Sequence, residues 1–185
     1  DWIFVQGDTT TVMTAALLSF YNRINIGHIE AGLRTRDKWQ PFPEEINRRI
    51  AGVVADLHLA PTQGARQHLL NEGVEDWRIY VTGNPAIDAL RIITSRPAPA
   101  DVQNLFDQYH IGQNGKKLIL VTAHRRENFG QPIIDICTAL KAIAEQSQAQ
   151  VHILYPVHLN PNIQEPVYRL LGPVSNITLF PPLDY

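Results

Sequence analysis

Residues 1–34 read DWIFVQGDTTTVMTAALLSFYNRINIGHIEAGLR, and this stretch decides the fold. Trp2-Ile3-Phe4-Val5 is a short apolar run of strand type. Gly7 breaks it, and Asp8 or Thr9 can cap the helical pattern that runs on to about Tyr21. A second apolar run, Ile24–Ile29, follows the helix and ends in the polar stretch Glu30-Ala31-Gly32-Leu33-Arg34. Strand, helix and strand in succession mark a parallel sheet with helices packed on its faces.

The same alternation continues outward. Further strand patterns fall at Leu57–Ala60, Ile79–Thr82, Lys117–Thr122, Gln150–Tyr155 and Asn176–Phe180. Pro43 suits the first helical position of a second helix, with Glu44 and Glu45 in its acidic first turn. In that helix Ile46, Ile50, Val53, Val54 and Leu57 recur at helical spacing, which predicts an inward apolar face. Thr62 caps a third helix that Gly73 closes, and two more are expected at about Pro85–Thr94 and Pro132–Gln146. The expected class is therefore α/β with parallel sheet and helices on both faces. Ser95-Arg96-Pro97-Ala98-Pro99-Ala100 interrupts the alternation, so a domain boundary belongs there or just before, at Gly83-Asn84-Pro85. The chain opens inside one strand pattern and stops just after another, so it reads as part of a longer protein.

Composition narrows the function classes. The chain has 185 residues, 44% hydrophobic and 18% charged, with a net charge of −2. No basic excess is available to neutralise a nucleic-acid backbone, which points away from DNA and RNA. Cys137, the single cysteine, precludes an internal disulfide framework and fits a reducing cytosol; its apolar setting predicts a buried structural thiol. No apolar run approaches the roughly 20 residues that span a bilayer, and no signal-peptide pattern opens the chain.

In parallel α/β sheets, ligands sit beyond the carboxyl ends of the strands. The loops there carry the unusual residues. Asp8 is either a helix cap or a site carboxylate. Glu30 directly follows an apolar strand, where burial is costly without a partner; Arg34 is one candidate partner and a ligand crevice is the other. Glu44, Asn47 and Arg48 share a helix face at i, i+3 and i+4, either as a solvated charged face or as one wall of a site. Thr122-Ala123-His124-Arg125-Arg126-Glu127-Asn128 runs from a strand into a helix start, a setting that suits a diphosphate. His158 follows a later strand in Tyr155-Pro156-Val157-His158. No P-loop and no Gly-x-Gly-x-x-Gly pattern occurs, and no His or Cys spacing calls for a metal.

Taken in order, Gly7-Asp8-Thr9, His28-Ile29-Glu30-Ala31-Gly32-Leu33-Arg34, Pro43-Glu44-Glu45-Ile46-Asn47-Arg48, Gly83-Asn84-Pro85, Thr122–Asn128 and Pro156-Val157-His158-Leu159-Asn160-Pro161 resemble the non-hydrolysing UDP-N-acetylglucosamine 2-epimerases of bacteria. The resemblance covers nearly the whole chain. It implies two Rossmann-like domains facing a cleft, in the manner of GT-B glycosyltransferases, both incomplete here. Residues 1–84 would be the later part of the first and 85–185 the early part of the second. It implies interconversion of UDP-GlcNAc and UDP-ManNAc by elimination and re-addition of UDP, with no cofactor and no metal, in a cytoplasmic homodimer that supplies envelope polysaccharide synthesis. Asp8, Glu30, Glu44 and His124 match the family's catalytic positions. Arg48, Arg125 and Arg126 would hold substrate. Glu45, Arg126 and His158 resemble a second site where UDP-GlcNAc acts as an activator. The family's opening Gly-Thr-Arg-Pro-Glu loop and its later Asp-Ser-Gly-Gly loop are absent, so this chain alone is expected to be inactive or nearly so. The rival readings are a GT-B glycosyltransferase, a hydrolysing epimerase that releases free ManNAc, and a non-catalytic sugar-nucleotide sensor.

Overall fold

The computed structural model describes residues 1–109, 111 and 115–183. Asp184 and Tyr185, which end the second expected domain, lie outside the described residues. The chain divides into two compact units, Asp1–Arg96 and Pro97–Tyr185, and helix Pro85–Thr94 groups with the first.

The first unit is built on a parallel sheet of β1 (Trp2–Gln6), β2 (Asn25–Ile29), β3 (Leu57–Ala60) and β4 (Ile79–Val81), in that spatial order. The crossovers run through α1 (Thr10–Tyr21), α2 (Glu44–Val54) and α3 (Gln63–Asn71). All advance in one direction, so right-handed crossing puts these helices on one face. The three crossover helices among the described residues thus share one face of the sheet. Ile3 and Val5 turn toward the helix layer, while Trp2 and Phe4 on the other face are about half exposed. The core is made close by small residues: Ala16, Ala51 and Ala55 pack with Val5, Val12 and Ile26. Ala31, Ala60 and Ala65 do the same beside Leu69 and Ile79. Gly32, at φ +86°, passes so near α3 that a Cβ there would collide with the Ala65 carbonyl. Helix α4 (Pro85–Thr94) is capped by the Asn84 side chain and buries none of its residues.

The second unit carries β5 (Lys117–Leu120), β6 (Val151–Pro156) and β7 (Ile177–Phe180), again parallel and in chain order. Here both faces are covered. Ile153 and Tyr155 pack against α6 (Gln131–Gln146) and α7 (Pro161–Leu171), while Leu154 and Phe180 meet Leu105 and Phe106 of α5 (Ala100–Gln108). Cys137 is fully buried among Ile133, Tyr155 and Val167, the structural thiol the sequence suggests. Helix α5 starts at the proline run itself, with Pro99 as its N-cap residue.

Helix α2 departs most from expectation. Val53 is 84% exposed and Ile46 36%, while Glu45 and Asn47 are buried. The inward face is mixed: Glu45 and Asn47 enter it together with Ala51, Ala55 and Val54, because polar groups wait for the first turn and the apolar core for the last. Pro43 stands just before the helix as its N-cap residue, not at the first helical position.

His28 and His58 are register partners on β2 and β3, and both are buried. Burial, with His28 alongside, holds the His58 imidazole down to about 4, from 6.5. The folded pKa is below the unfolded one, so this contribution is whole above about pH 6.5 and is lost as pH falls toward 4. The window corresponds to about 3 kcal/mol at most. Urea unfolding of the wild type and of His58→Leu at pH 7.5 and 4.5 checks this: the variant should show a shallower acid loss, and equal losses would contradict it.

Candidate active site

Asp8 follows β1 in the loop that leads into α1, and it is not the helix cap. Thr9 takes that part, its Oγ1 accepting from the Val12 N–H at 3.3 Å. The Asp8 carboxylate is thus left for other work. It pairs with the Arg48 guanidinium across the chain, and its backbone carbonyl accepts from Asn47 Nδ2 at 3.0 Å. Two consecutive residues of α2 therefore hold Asp8 by side chain and by backbone.

Arg48 is itself held. Its Nη1 lies 3.4 Å from Glu45 Oε2, and the Glu45 side chain is only 1% exposed. Glu45 also accepts from the Thr35 N–H at 3.1 Å and the Arg36 N–H at 3.3 Å. A buried carboxylate needs such donors, since desolvation of an unpaired charge outweighs most single gains. This network is the reason α2 turns its charged face inward. The solvated-face reading of Glu44, Asn47 and Arg48 is corrected for Asn47 and Arg48.

Glu30 sits at the end of β2 with φ +65°, a left-handed conformation that a glutamate adopts at a cost of about 1–2 kcal/mol. Arg34 is not its partner: that guanidinium forms a two-pronged ion pair with Glu72, both N–O distances 2.8 Å. The Glu72 carboxyl is accordingly held below the usual range by the Arg34 hydrogen bonds. Glu30 Oε1 instead accepts from Asn84 Nδ2 at 3.3 Å. Gly7 binds the same corner, its N–H donating to the Ile29 carbonyl at 3.1 Å. A Cβ on Gly7 would lie 3.8 Å from Glu30 Oε2, so the Asp8 loop and Glu30 are neighbours. Glu44 opens α2 directly before the buried Glu45 and is half-buried. A depression of about 570 Å³ lies at the ends of β3 and β4, lined by Pro61, Thr82, Gly83 and Asn84 among others. Asp8, Glu30 and Glu44 do not line this hollow; Asn84 does, and its bond to Glu30 ties the carboxylate to the rim of a strand-end depression of the kind that holds ligands.

In the second unit, His124 follows β5. Its ring stacks on that of His158, centroids 5.3 Å apart and planes 14° from parallel. His158 Nδ1 accepts from the Asn160 N–H at 3.1 Å, which leaves the proton of the neutral ring on Nε2. Arg125 and Arg126 are exposed, Arg125 pairing with Glu127 at 3.4 Å on the surface. A one-turn 3-10 helix, Arg126–Asn128, separates this cluster from α6, so the arginines do not sit on the N-terminus of the long helix. The anion argument from the helix dipole is corrected to that extent, and the charges themselves remain available.

Three residues that the sequence motifs contain without indicating a role, Asn84, His28 and Tyr155, support the site loops. Asn84 shows a signal, since Asn before Pro is a helix-cap pattern, but its second bond to Glu30 is visible only in space. His28 lies 2.8 Å from the Gly7 carbonyl through Nε2, and Tyr155 donates to the Ala123 carbonyl at 2.7 Å. Both look like ordinary strand residues in one dimension.

The whole chain, residues 1–185, matches the family described as UDP-N-acetylglucosamine 2-epimerase. It is 52% identical over 190 residues to the UDP-N-acetylglucosamine 2-epimerase of Salmonella typhimurium, covering 100% of this chain and 50% of that protein. The Escherichia coli K12 protein of the same name is 48% identical over 187 residues, with the same coverage. Among solved structures, the UDP-GlcNAc 2-epimerase of Neisseria meningitidis bound to UDP-GlcNAc superposes with a TM-score of 0.90 at 40% identity, over 100% of this chain and 50% of that one. The S. aureus MnaA–UDP co-structure gives 0.88 at 44% identity, over 100% and 48%. The chain spans about half the length of the curated relatives it matches.

The buried network sets a magnitude. Glu45→Ala removes one of the two carboxylates that hold Arg48 and the acceptor of two backbone N–H groups, so unfolding free energy should fall by about 3 kcal/mol in urea denaturation. Glu127→Ala, at the exposed Arg125 pair, should cost less than about 0.5 kcal/mol. Equal losses in the two variants would refute the assignment of Glu45 as the keystone.

Proposed function

We propose, because this chain belongs to the UDP-N-acetylglucosamine 2-epimerase family, that the complete protein reversibly converts UDP-GlcNAc to UDP-ManNAc by eliminating UDP and adding it back. The observation that carries the reading is the corner where Asp8, clamped by Arg48 and Asn47, lies beside the strained Glu30 at the strand ends. A fold that spends conformational strain and a buried ion network on two neighbouring carboxylates is organised for proton transfer.

The chemistry follows from the substrate. A carboxylate removes the C2 proton while the C1–O bond to UDP breaks, giving 2-acetamidoglucal and UDP. UDP then adds back at C1 as a second acid returns a proton to the opposite face of C2. Asp8, Glu30 and Glu44 share these two transfers. The C2 proton is weakly acidic, so the base must be held close and correctly turned, which the Arg48 clamp does for Asp8. Negative charge grows on UDP as it leaves, and His124 is assigned to stabilise it, with Arg125 and Arg126 holding the diphosphate. Residues 1–84 are assigned to the later part of one Rossmann-like domain and 85–185 to the early part of the next.

The activating UDP-GlcNAc site is assigned to Arg126 and His158, both exposed. Glu45 belongs to it only if residues 35 and 36, which cover its carboxylate, move aside. The working protein is taken as a cytoplasmic homodimer supplying envelope polysaccharide synthesis. No described helix is long and apolar enough to cross a membrane.

Proton NMR of UDP-GlcNAc with the complete protein in deuterated water tests the reading. Deuterium should enter at C2 while UDP-ManNAc accumulates to equilibrium. Asp8→Asn, Glu30→Gln and Glu44→Gln should each slow turnover by about 100-fold or more. Release of free ManNAc would indicate the hydrolysing reaction, and binding without C2 exchange would leave a transferase or a sensor.

A further inference from the structure

Two loops that carry proposed reacting groups are pinned in the same way. In the first unit, the His28 imidazole on β2 reaches out of its own ladder to the carbonyl oxygen of Gly7, 2.8 Å from Nε2. The carbonyl can only accept, so Nε2 carries the proton. Burial lowers the His28 pKa, which keeps the ring neutral and the donor in place. The Gly7 carbonyl belongs to the peptide bond that ends in the Asp8 nitrogen. In the second unit, the Tyr155 hydroxyl on β6 donates to the Ala123 carbonyl at 2.7 Å. That carbonyl belongs to the peptide bond that ends in the His124 nitrogen. Burial pushes the Tyr155 phenol up to about 12, so it stays a donor at any working pH.

Neither bond serves regular secondary structure. Each joins a strand to the loop that leaves the neighbouring strand, β2 to the loop after β1 and β6 to the loop after β5. Tyr155 is fully buried among Cys137, Ile153 and Val167, where phenylalanine would fill the same space without a hydroxyl to desolvate. His28 is 1% exposed, and its Nδ1 has no hydrogen-bond partner among the described residues. A polar ring is costly in both places, and the loop carbonyl is what each obtains for it. The peptide group is planar, so a fixed carbonyl also fixes the next nitrogen and the Cα that bears the next side chain, leaving φ as the one backbone rotation that aims it.

We propose that His28 and Tyr155 are positioning residues, each orienting the peptide plane from which Asp8 or His124 projects. The inference rests on the roles assigned to Asp8 and His124 under the proposed function. Misplacement of a reacting group by about 1 Å costs about 100-fold in rate, so even partial release of either plane should be measurable.

The test uses the complete protein. Tyr155→Phe removes one oxygen and keeps the ring. Its kcat for UDP-GlcNAc epimerisation should fall about tenfold, with KM within about twofold of wild type. Loss of packing alone would lower the melting temperature without that split. At His28, glutamine can place an N–H near the Nε2 position and leucine cannot. His28→Gln should keep kcat within about threefold and His28→Leu should lose about tenfold or more. Amide hydrogen exchange, read by mass spectrometry over residues 121–126, should quicken in Tyr155→Phe relative to the rest of the unit. That local quickening would uphold the clamp even if the wild type showed no C2 exchange, in which case the functional reading alone would fall. Unchanged kcat together with unchanged local exchange in Tyr155→Phe, or equal losses in the two His28 variants, would overturn the proposal.

Discussion

The first unit depends on one carboxylate that water does not reach. Glu45 accepts from two backbone N–H groups of residues 35 and 36 and from Arg48, and Arg48 passes the restraint on to Asp8. The chain of dependence runs inward from a charge that would be intolerable alone. Because Glu45 is buried, α2 turns Glu45 and Asn47 into the unit beside Ala51, Ala55 and Val54, and leaves Ile46 and Val53 on the outside. Because α2 is turned that way, Asn47 and Arg48 arrive together at the loop after β1. Replacing such a network by apolar residues often leaves a fold as stable or more so. Its presence is therefore better explained by where it puts Asp8 than by stability.

Small residues make that inward polar face possible. Ala51 and Ala55 on α2 lie against Ala16 on α1 with Val5 and Ile26 beneath them. The helix rests close to the sheet on alanines, which leaves its longer side chains free to extend along the surface between helix and loop. The second unit is packed in a more ordinary way, with Ile133, Ile153, Ile163 and Leu171 filling the space and helices on both faces of the sheet. Its polar investment is concentrated in the Tyr155 hydroxyl and in Asn176, whose amide reaches the Ala144 and Val151 carbonyls.

The seven strands were legible because apolar runs bounded by turn residues carry a local signal. So were Asp8 and Glu30 as candidates, since a carboxylate at a strand end stands out in any parallel sheet. The orientation of α2 was not legible, because periodicity tells which residues share a face but not which face is inside when the neighbours are polar. Helix α5 was hidden by its own cap: Pro97 and Pro99 signal a break, and the helix begins directly after them. Helix α7 contains Pro166, which argues against a helix in one dimension and is accommodated here at the loss of one backbone donor. The partners of Glu30 and Arg34 lie 54 and 38 residues away in sequence, so no local pattern could assign them.

Glu30 occupies a backbone conformation made for glycine. On the role proposed for it, the protein holds a reactive group where the main chain would be more comfortable with no side chain at all. Selection for heat resistance alone would favour glycine at this position, since relief of the left-handed strain needs no other change. Such a lineage would gain robustness and lose its chemistry in the same substitution. Persistence of glutamate there in working enzymes would then be a trace of purifying selection on turnover, acting against the thermodynamic preference of the fold.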